Sequence, residues 1–237
     1  MGLIRLPGPR LERFGERALL LRAANQSIVR AIADALLADL HAGAIQDVVP
    51  GDRSLLVVFD GSDRGERITR HALASATTAT VAGVPAVTAP VGRRRVIPVS
   101  YGGADGQDLE ETADLAGISP RDLIDLHTRH DHNVLFLGFA PGFAYLGDSE
   151  AELVVPRLAT PRTATRAGSV AVAESYTGIY PANLPGGWRV IGWTPVVLFD
   201  PTIDPPTYLL PGDTVRFESV DAADLPADPY RPADWTR

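Results

Sequence analysis

The sequence has 237 residues, 45% hydrophobic and 22% charged, an ordinary globular composition long enough for one large domain or two small ones. Its 22 basic and 29 acidic residues give a formal net charge of -7, and the only dense basic run, Arg93-Arg94-Arg95, stands directly before a strand-like segment, which argues against nucleic acid as a partner. With no cysteine, the sequence excludes disulfides, thiolate metal sites, iron–sulfur clusters and a cysteine nucleophile. The first residues carry arginines broken by Pro7 and Pro9 rather than a signal-like apolar core, and no run approaches the ~18 apolar residues of a membrane span. A cytoplasmic protein with no membrane partner is the expectation.

The first third alternates strand and helix. Residues 18–23 form a strand candidate; Ile28, Ile32, Ala35, Leu36 and Leu40 then recur at helical spacing, with Asn25 as cap and Gly43 as stop. Strands at 45–49 and 54–59 flank the turn Pro50-Gly51-Asp52, an Ala/Thr-rich helix follows at 66–80, and 85–89 reads as a last strand. That βαββαβ order predicts a small ferredoxin-like α/β domain over residues 1–92.

The pattern changes near Pro90, and a second domain is expected over 93–237. Residues 95–100 open it as a strand, 108–116 read as a helix, and Ser119-Pro120-Arg121-Asp122 starts another with a cap, a first-position proline and an acid at the third position. From Asn133 onward short apolar runs are punctuated by Gly and Pro, at 133–139, 152–155, 168–173, 188–192, 196–199 and 214–217, which predicts an antiparallel β-barrel. The Pro/Ala/Asp-rich tail after Asp221 is expected to lie over the surface or to be partly mobile.

Three stretches carry the functional reading. Gly138-Phe139-Ala140-Pro141-Gly142-Phe143-Ala144-Tyr145 is a strand running into a permissive loop with three aromatic rings, which suits a small-ligand pocket or partner groove, or else a tight barrel corner with buried rings. The stretch 160–181 holds Arg162, whose planar fork could clamp a carboxylate or phosphate or bond loop carbonyls, with the hydroxyls of Ser169, Thr177 and Tyr180. In Gly186-Gly187-Trp188 two glycines bring backbone close to a ligand or second chain, or make a hairpin over a core tryptophan. His127, His130 and His132 at i, i+3 and i+5 raise a metal site, but no acidic partner stands at ligand spacing and a helix C-terminus accounts for them. No phosphate loop, GxGxxG turn or GxSxG elbow is present, so a self-contained nucleotide or serine hydrolase of those types lacks its parts.

The texts GFAPGFAYLG at 138–147, TPRTATRAGSVAVAESYTGIYP at 160–181, LPGGWRVIGWTP at 184–195 and LLPGDTVRF at 209–217 resemble, in this order and spacing, the carboxyltransferase subdomain C and D family. Its members include the B subunit of 5-oxoprolinase, allophanate hydrolase subunit 1 and a sporulation-kinase inhibitor. The resemblance implies a ferredoxin-like N-terminal domain, a cyclophilin-like barrel and a subunit of an ATP-dependent amidohydrolase that opens 5-oxoproline or hydrolyses allophanate. It implies ATP with Mg at the level of the complex, and a second subunit, matching the C subunit of 5-oxoprolinase or allophanate hydrolase subunit 2, in a heterodimer or heterotetramer inactive without it. Within the matching text, Arg162, Glu174 and Thr177 are the candidate catalytic residues. Phe139, Pro141, Gly142, Phe143, Tyr145, Ser169, Tyr176, Tyr180, Gly186, Gly187 and Trp188 are the candidate substrate-binding residues, and Phe143, Trp188 and Trp193 the expected exposed anchors for the second subunit. Glu174, Ser175, Tyr176 and Trp193 depart from the family's usual text. The alternatives are a histidine-kinase inhibitor using the same cleft as a protein groove, and part of a biotin-dependent carboxyltransferase whose biotin would arrive on another protein.

Overall fold

A computed structural model of the chain describes residues 9–38, 43–81, 92–147 and 153–235. The chain divides into two compact units, Met1–Val91 and Gly92–Arg237. Over the described residues it is a mixed α/β protein with four α-helices and a closed seven-stranded barrel.

In the first unit β1 (Arg10–Arg13), β2 (Ala18–Arg22), β3 (Ile45–Pro50) and β4 (Ser54–Phe59) form one sheet in the order β1-β2-β4-β3, every pair antiparallel. Helices α1 (Gln26–Ala38) and α2 (Asp63–Val81) are started by side chains: Asn25 Oδ1 accepts the Ile28 amide at 3.0 Å and Ser62 Oγ the Gly65 amide at 2.9 Å. Val29, Ile32, Ala33 and Leu36 recur on one face of α1 and close with Leu19, Leu21, Leu55, Val57 and Phe59 into a core. Strand β1 has no counterpart in the expected elements: its text RLER is largely exposed and carries no alternation, and it is a strand because it pairs with β2. The expected strand at 85–89 and Leu40 lie outside the described residues.

The second unit holds β5 (Arg94–Tyr101), α3 (Leu109–Ala116), α4 (Pro120–Arg129), β6 (His132–Leu137), β7 (Ala144–Gly147), β8 (Arg162–Thr165), β9 (Ser169–Ala173), β10 (Tyr176–Ile179), β11 (Leu184–Gly186), β12 (Arg189–Trp193) and β13 (Thr214–Ser219). The barrel closes in the order β10-β7-β6-β13-β5-β12-β9, while β8 and β11 pair apart from it as a two-stranded ribbon. The expectation of an antiparallel barrel needs one correction, since β13 runs parallel to β5 over six residue pairs. Asp213 fastens that seam, accepting the Arg93 amide at 2.9 Å and its guanidinium at 3.0 Å. Helix α4 begins with the capping box foreseen at Ser119 and Asp122.

Strand β9 is buried on both faces, and its alternation shows why. Val170 and Val172 point into the barrel core, whereas Ala171 and Ala173 belong to a second cluster outside the wall with Phe143, Tyr180 and Trp188. The tail is not loose. Trp235 is buried 5.5 Å from the Tyr208 ring and donates its indole N–H to Pro205 O at 3.1 Å, while Arg95 pairs with Asp234. Among the described residues no helix is long and apolar enough to cross a membrane.

Candidate functional site

Most of the aromatic and glycine residues singled out between 138 and 188 gather on the outer face of the barrel wall. Strand β6 leaves the barrel at Gly138 and turns tightly, with Ala140 N–H donating to Gly138 O at 2.8 Å and Phe143 N–H to Ala140 O at 3.0 Å. Phe139 holds φ at +70°, a left-handed conformation rarely tolerated by an aromatic residue, and its ring is 58% exposed. Pro141 sits exposed at the tip. Gly142 has φ +83°, and a Cβ there would stand 2.7 Å from Phe199 Cβ, so no side chain fits.

Phe143 is the hub of an aromatic cluster. Its ring meets Phe139, Tyr145, Tyr180 and Trp188 edge to face at 5.3, 5.1, 5.6 and 5.3 Å, and Tyr176 joins through Tyr145 at 5.7 Å. The floor beneath is made of small residues. Ala171 and Ala173 face the rings, and a Cβ on Gly178 would lie 2.9 Å from Phe143 Cζ and 3.1 Å from Trp188 Cζ3. Ser169 shares that parity on β9 and is buried beside it. Burial raises the phenol pKa of Tyr180 above its ordinary value, the Trp188 amide opposing this in part, and burial likewise raises that of Tyr145.

The ribbon covers one side of this cluster. Gly186 pairs with Arg162 across it, and a Cβ on Gly186 would fall 2.0 Å from the Tyr180 hydroxyl, so backbone lies directly against the phenol. Gly187 passes near Pro161, and its carbonyl accepts the Leu158 amide at 2.7 Å. Arg162 reaches Asp108 at the start of α3, donating from Nη2 to Oδ1 at 2.6 Å; the other carboxylate oxygen accepts the Val190 amide at 2.7 Å. Asp108 is therefore a residue of this site that the sequence does not flag, because a lone acid before a helix looks like a cap. It is not one: α3 has no side-chain cap bond.

Two expected catalytic side chains are placed elsewhere. Thr177 and Ile179 share the inward parity of β10, and the Thr177 hydroxyl donates to Ala171 O at 3.2 Å and lies 2.8 Å from His127 Nε2, inside the barrel. Glu174 holds φ +55° at the β9–β10 turn, where its exposed carboxylate pairs with Arg157 at 3.2 Å. The anchor expectation is also corrected. Phe143, Trp188 and Trp193 are buried at 2%, 5% and 7%, because ring contacts cover the first two and Arg166 stacks 4.1 Å over the third; within the cluster Phe139 is an exposed ring.

The histidines serve packing. His127 is fully enclosed, stacked 4.4 Å from Phe217, with the Tyr101 hydroxyl 2.7 Å from Nδ1, and His132 Nε2 bonds the His127 carbonyl at 2.8 Å. Burial, with His132 adding a smaller effect, holds the His127 pKa well below the usual histidine value. His130 accepts from Arg129, and among the described residues no three His, Asp or Glu side chains are grouped to hold a metal. A groove of about 630 Å³ elsewhere runs between α1 and α2, lined by Leu36, Arg67, Ile68 and His71, and holds none of the candidate residues.

The outer wall of the barrel thus carries an aromatic cluster with an arginine braced by Asp108 beside it. Residues 9–209 match the family described as carboxyltransferase domain, subdomain C and D, and the chain belongs to that family. It is 48% identical over 138 residues to the 5-oxoprolinase B subunit of Bacillus subtilis, a stretch spanning 58% of each chain, and 48% identical over 128 residues to the 5-oxoprolinase B subunit of Escherichia coli O157:H7, spanning 54% of this chain and 59% of that one. The crystal structure of TTHA0988 superposes with a TM-score of 0.69 at 34% identity, covering 90% of this chain and 41% of that one.

Proposed function

We propose that this chain is the B-type subunit of an ATP-dependent 5-oxoprolinase, built from a ferredoxin-like domain over 1–92 and a cyclophilin-like barrel over 93–237, and working in the cytoplasm. The observation that carries the reading is the 48% identity to two proteins named as the B subunit of 5-oxoprolinase. The cluster around Phe143, with Arg162 beside it, supports a site for a small ring bearing a negative charge. Of the expected catalytic group, Arg162 is the side chain that borders the cluster, through Gly186 and Tyr180.

The residues described do not fit a site for Mg–ATP. The sequence has no lysine and no phosphate loop, and among the described residues no three His, Asp or Glu side chains are grouped. Thr177, the hydroxyl of the expected catalytic group, is spent inside the barrel on Ala171 O and His127. Nucleotide binding then falls to a second polypeptide, the C-type subunit, in a heterodimer or heterotetramer, with the lone chain inactive. The shared contact should exceed the ~1,600 Å² of a standard transient interface, and Phe139, exposed on strained backbone, is the candidate anchor from this side.

The test is co-expression with the second subunit and an assay for ATP-dependent release of glutamate from 5-oxoproline. Activity in the assembled complex and none in either chain alone is expected. Full turnover by this chain alone would refute the shared site, and no turnover by the complex would refute the substrate.

A further inference from the structure

Arg162 carries an unmet bond. Nη2 is committed to Asp108 at 2.6 Å, but Nη1 is shielded from solvent and has no partner. A buried guanidinium nitrogen without an acceptor is costly, and an incoming oxygen that satisfies it recovers that cost. Several bonds fix where this nitrogen stands. Asp108 is buried; its Oδ2 accepts the Val190 amide at 2.7 Å, its own amide donates to Val190 O at 2.9 Å, and its carbonyl accepts the Thr112 hydroxyl at 2.6 Å. The carboxylate is thus locked to β12 and to the first turn of α3, and it forgoes the helix cap for which aspartate is usually chosen.

We propose that Arg162 binds the carboxylate of a small cyclic amide through its unpaired edge, and that Asp108 is the positioning residue that aims it. The inference rests on the 5-oxoprolinase reading for its ligand class. Tyr180 links the two ends of such a subsite. Its hydroxyl lies against Gly186, the strand partner of Arg162, and its ring stands 6.2 Å from Phe139, so an apolar ring face meets Phe139 while the charged end meets Arg162. Asp108 holds one edge of the planar fork so that the other is presented in a fixed direction, which a lysine ammonium in its place cannot reproduce.

The test uses the full chain, ¹⁵N-labelled on its three tryptophan indoles, titrated with L-5-oxoproline and with 2-pyrrolidinone, the same ring without the carboxylate. L-5-oxoproline is expected to shift the Trp188 indole saturably and to bind about tenfold or more tighter than 2-pyrrolidinone, the range of one charge-assisted bond. Arg162→Ala should reduce 5-oxoproline to the level of 2-pyrrolidinone. Arg162→Lys, which keeps the charge, should recover only part of the difference. Asp108→Asn keeps an acceptor for the Val190 amide and should weaken 5-oxoproline alone, with thermal melts confirming that each variant is folded. Equal affinity for the two rings, no binding of either, or unchanged selectivity in the folded variants overturns the proposal. Its failure is separable from that of the functional reading. A complex that releases glutamate with an unchanged KM in Arg162→Ala refutes the carboxylate site alone, whereas carboxylate-selective binding without turnover in the complex refutes the 5-oxoprolinase reading alone.

Discussion

Replacing His127 by glutamine should flatten the acid limb of the chain's stability. The wild-type imidazole is enclosed between Tyr101, Thr177, His132 and Phe217. The Thr177 hydroxyl donates to Ala171 O, which leaves its oxygen to accept from His127 Nε2–H, and Nδ1 then accepts from the Tyr101 phenol. One donor and one acceptor define the neutral ring, and burial keeps it neutral by lowering its pKa well below the ordinary value while raising that of Tyr101. Because the folded pKa is depressed, the unfolded chain takes up a proton below about pH 6.5 that the folded chain refuses, so this contribution is present above that pH and is lost as pH falls. Between pH 6 and pH 5 one such proton amounts to about 1.2 kcal/mol, or roughly 2–5 °C in melting temperature for a domain of this size. Melts of wild type and His127→Gln at pH 7, 6 and 5 measure it, since the carboxylates distant from the ring are common to both proteins and cancel in the difference. Tyr101→Phe, which leaves the imidazole buried, should keep the wild-type slope. Equal slopes for wild type and His127→Gln would show that the ring is protonated in the fold and refute the network.

Two further substitutions probe the packing that shapes the site. Gly178→Ala sets a methyl 2.9 Å from Phe143 Cζ and 3.1 Å from Ala144 O, and should cost about 1–3 kcal/mol in thermal or urea unfolding while disturbing the near-ultraviolet circular dichroism of the ring cluster; an unchanged spectrum would mean the rings are not seated on that glycine. Trp235→Ala removes a buried ring from Tyr208 and a bond to Pro205, and should cost about 3–5 kcal/mol, whereas a loosely attached tail would lose nothing measurable.

Much of the fold is local and was legible. Strands β2 and β4 follow from short apolar runs, β4 beginning just after the turn text Pro50-Gly51-Asp52, and the start of α4 follows from its Ser, Pro and Asp. The site was legible as a set of segments, because Gly-aromatic text demands backbone in contact with rings. Which face each side chain takes was harder. Period two along Tyr176-Thr177-Gly178-Ile179 already separates Thr177 from Tyr176 and Gly178, so the inward turn of Thr177 could have been read from the same alternation that predicts the strand.

Pairings between distant segments could not be read that way. Strand β1 exists through its ladder to β2, β13 lies parallel to β5 after more than a hundred intervening residues, and Asp108 meets Arg162 across 54 positions. The sequence by itself determined the local periods, the caps, the absence of sulfur chemistry and the family text. Tertiary structure decided which rings are buried, which hydroxyl is spent inside the barrel and which acid holds the arginine. Those outcomes depend on barrel closure, which brings to one wall residues whose local sequence carries no record of their neighbours.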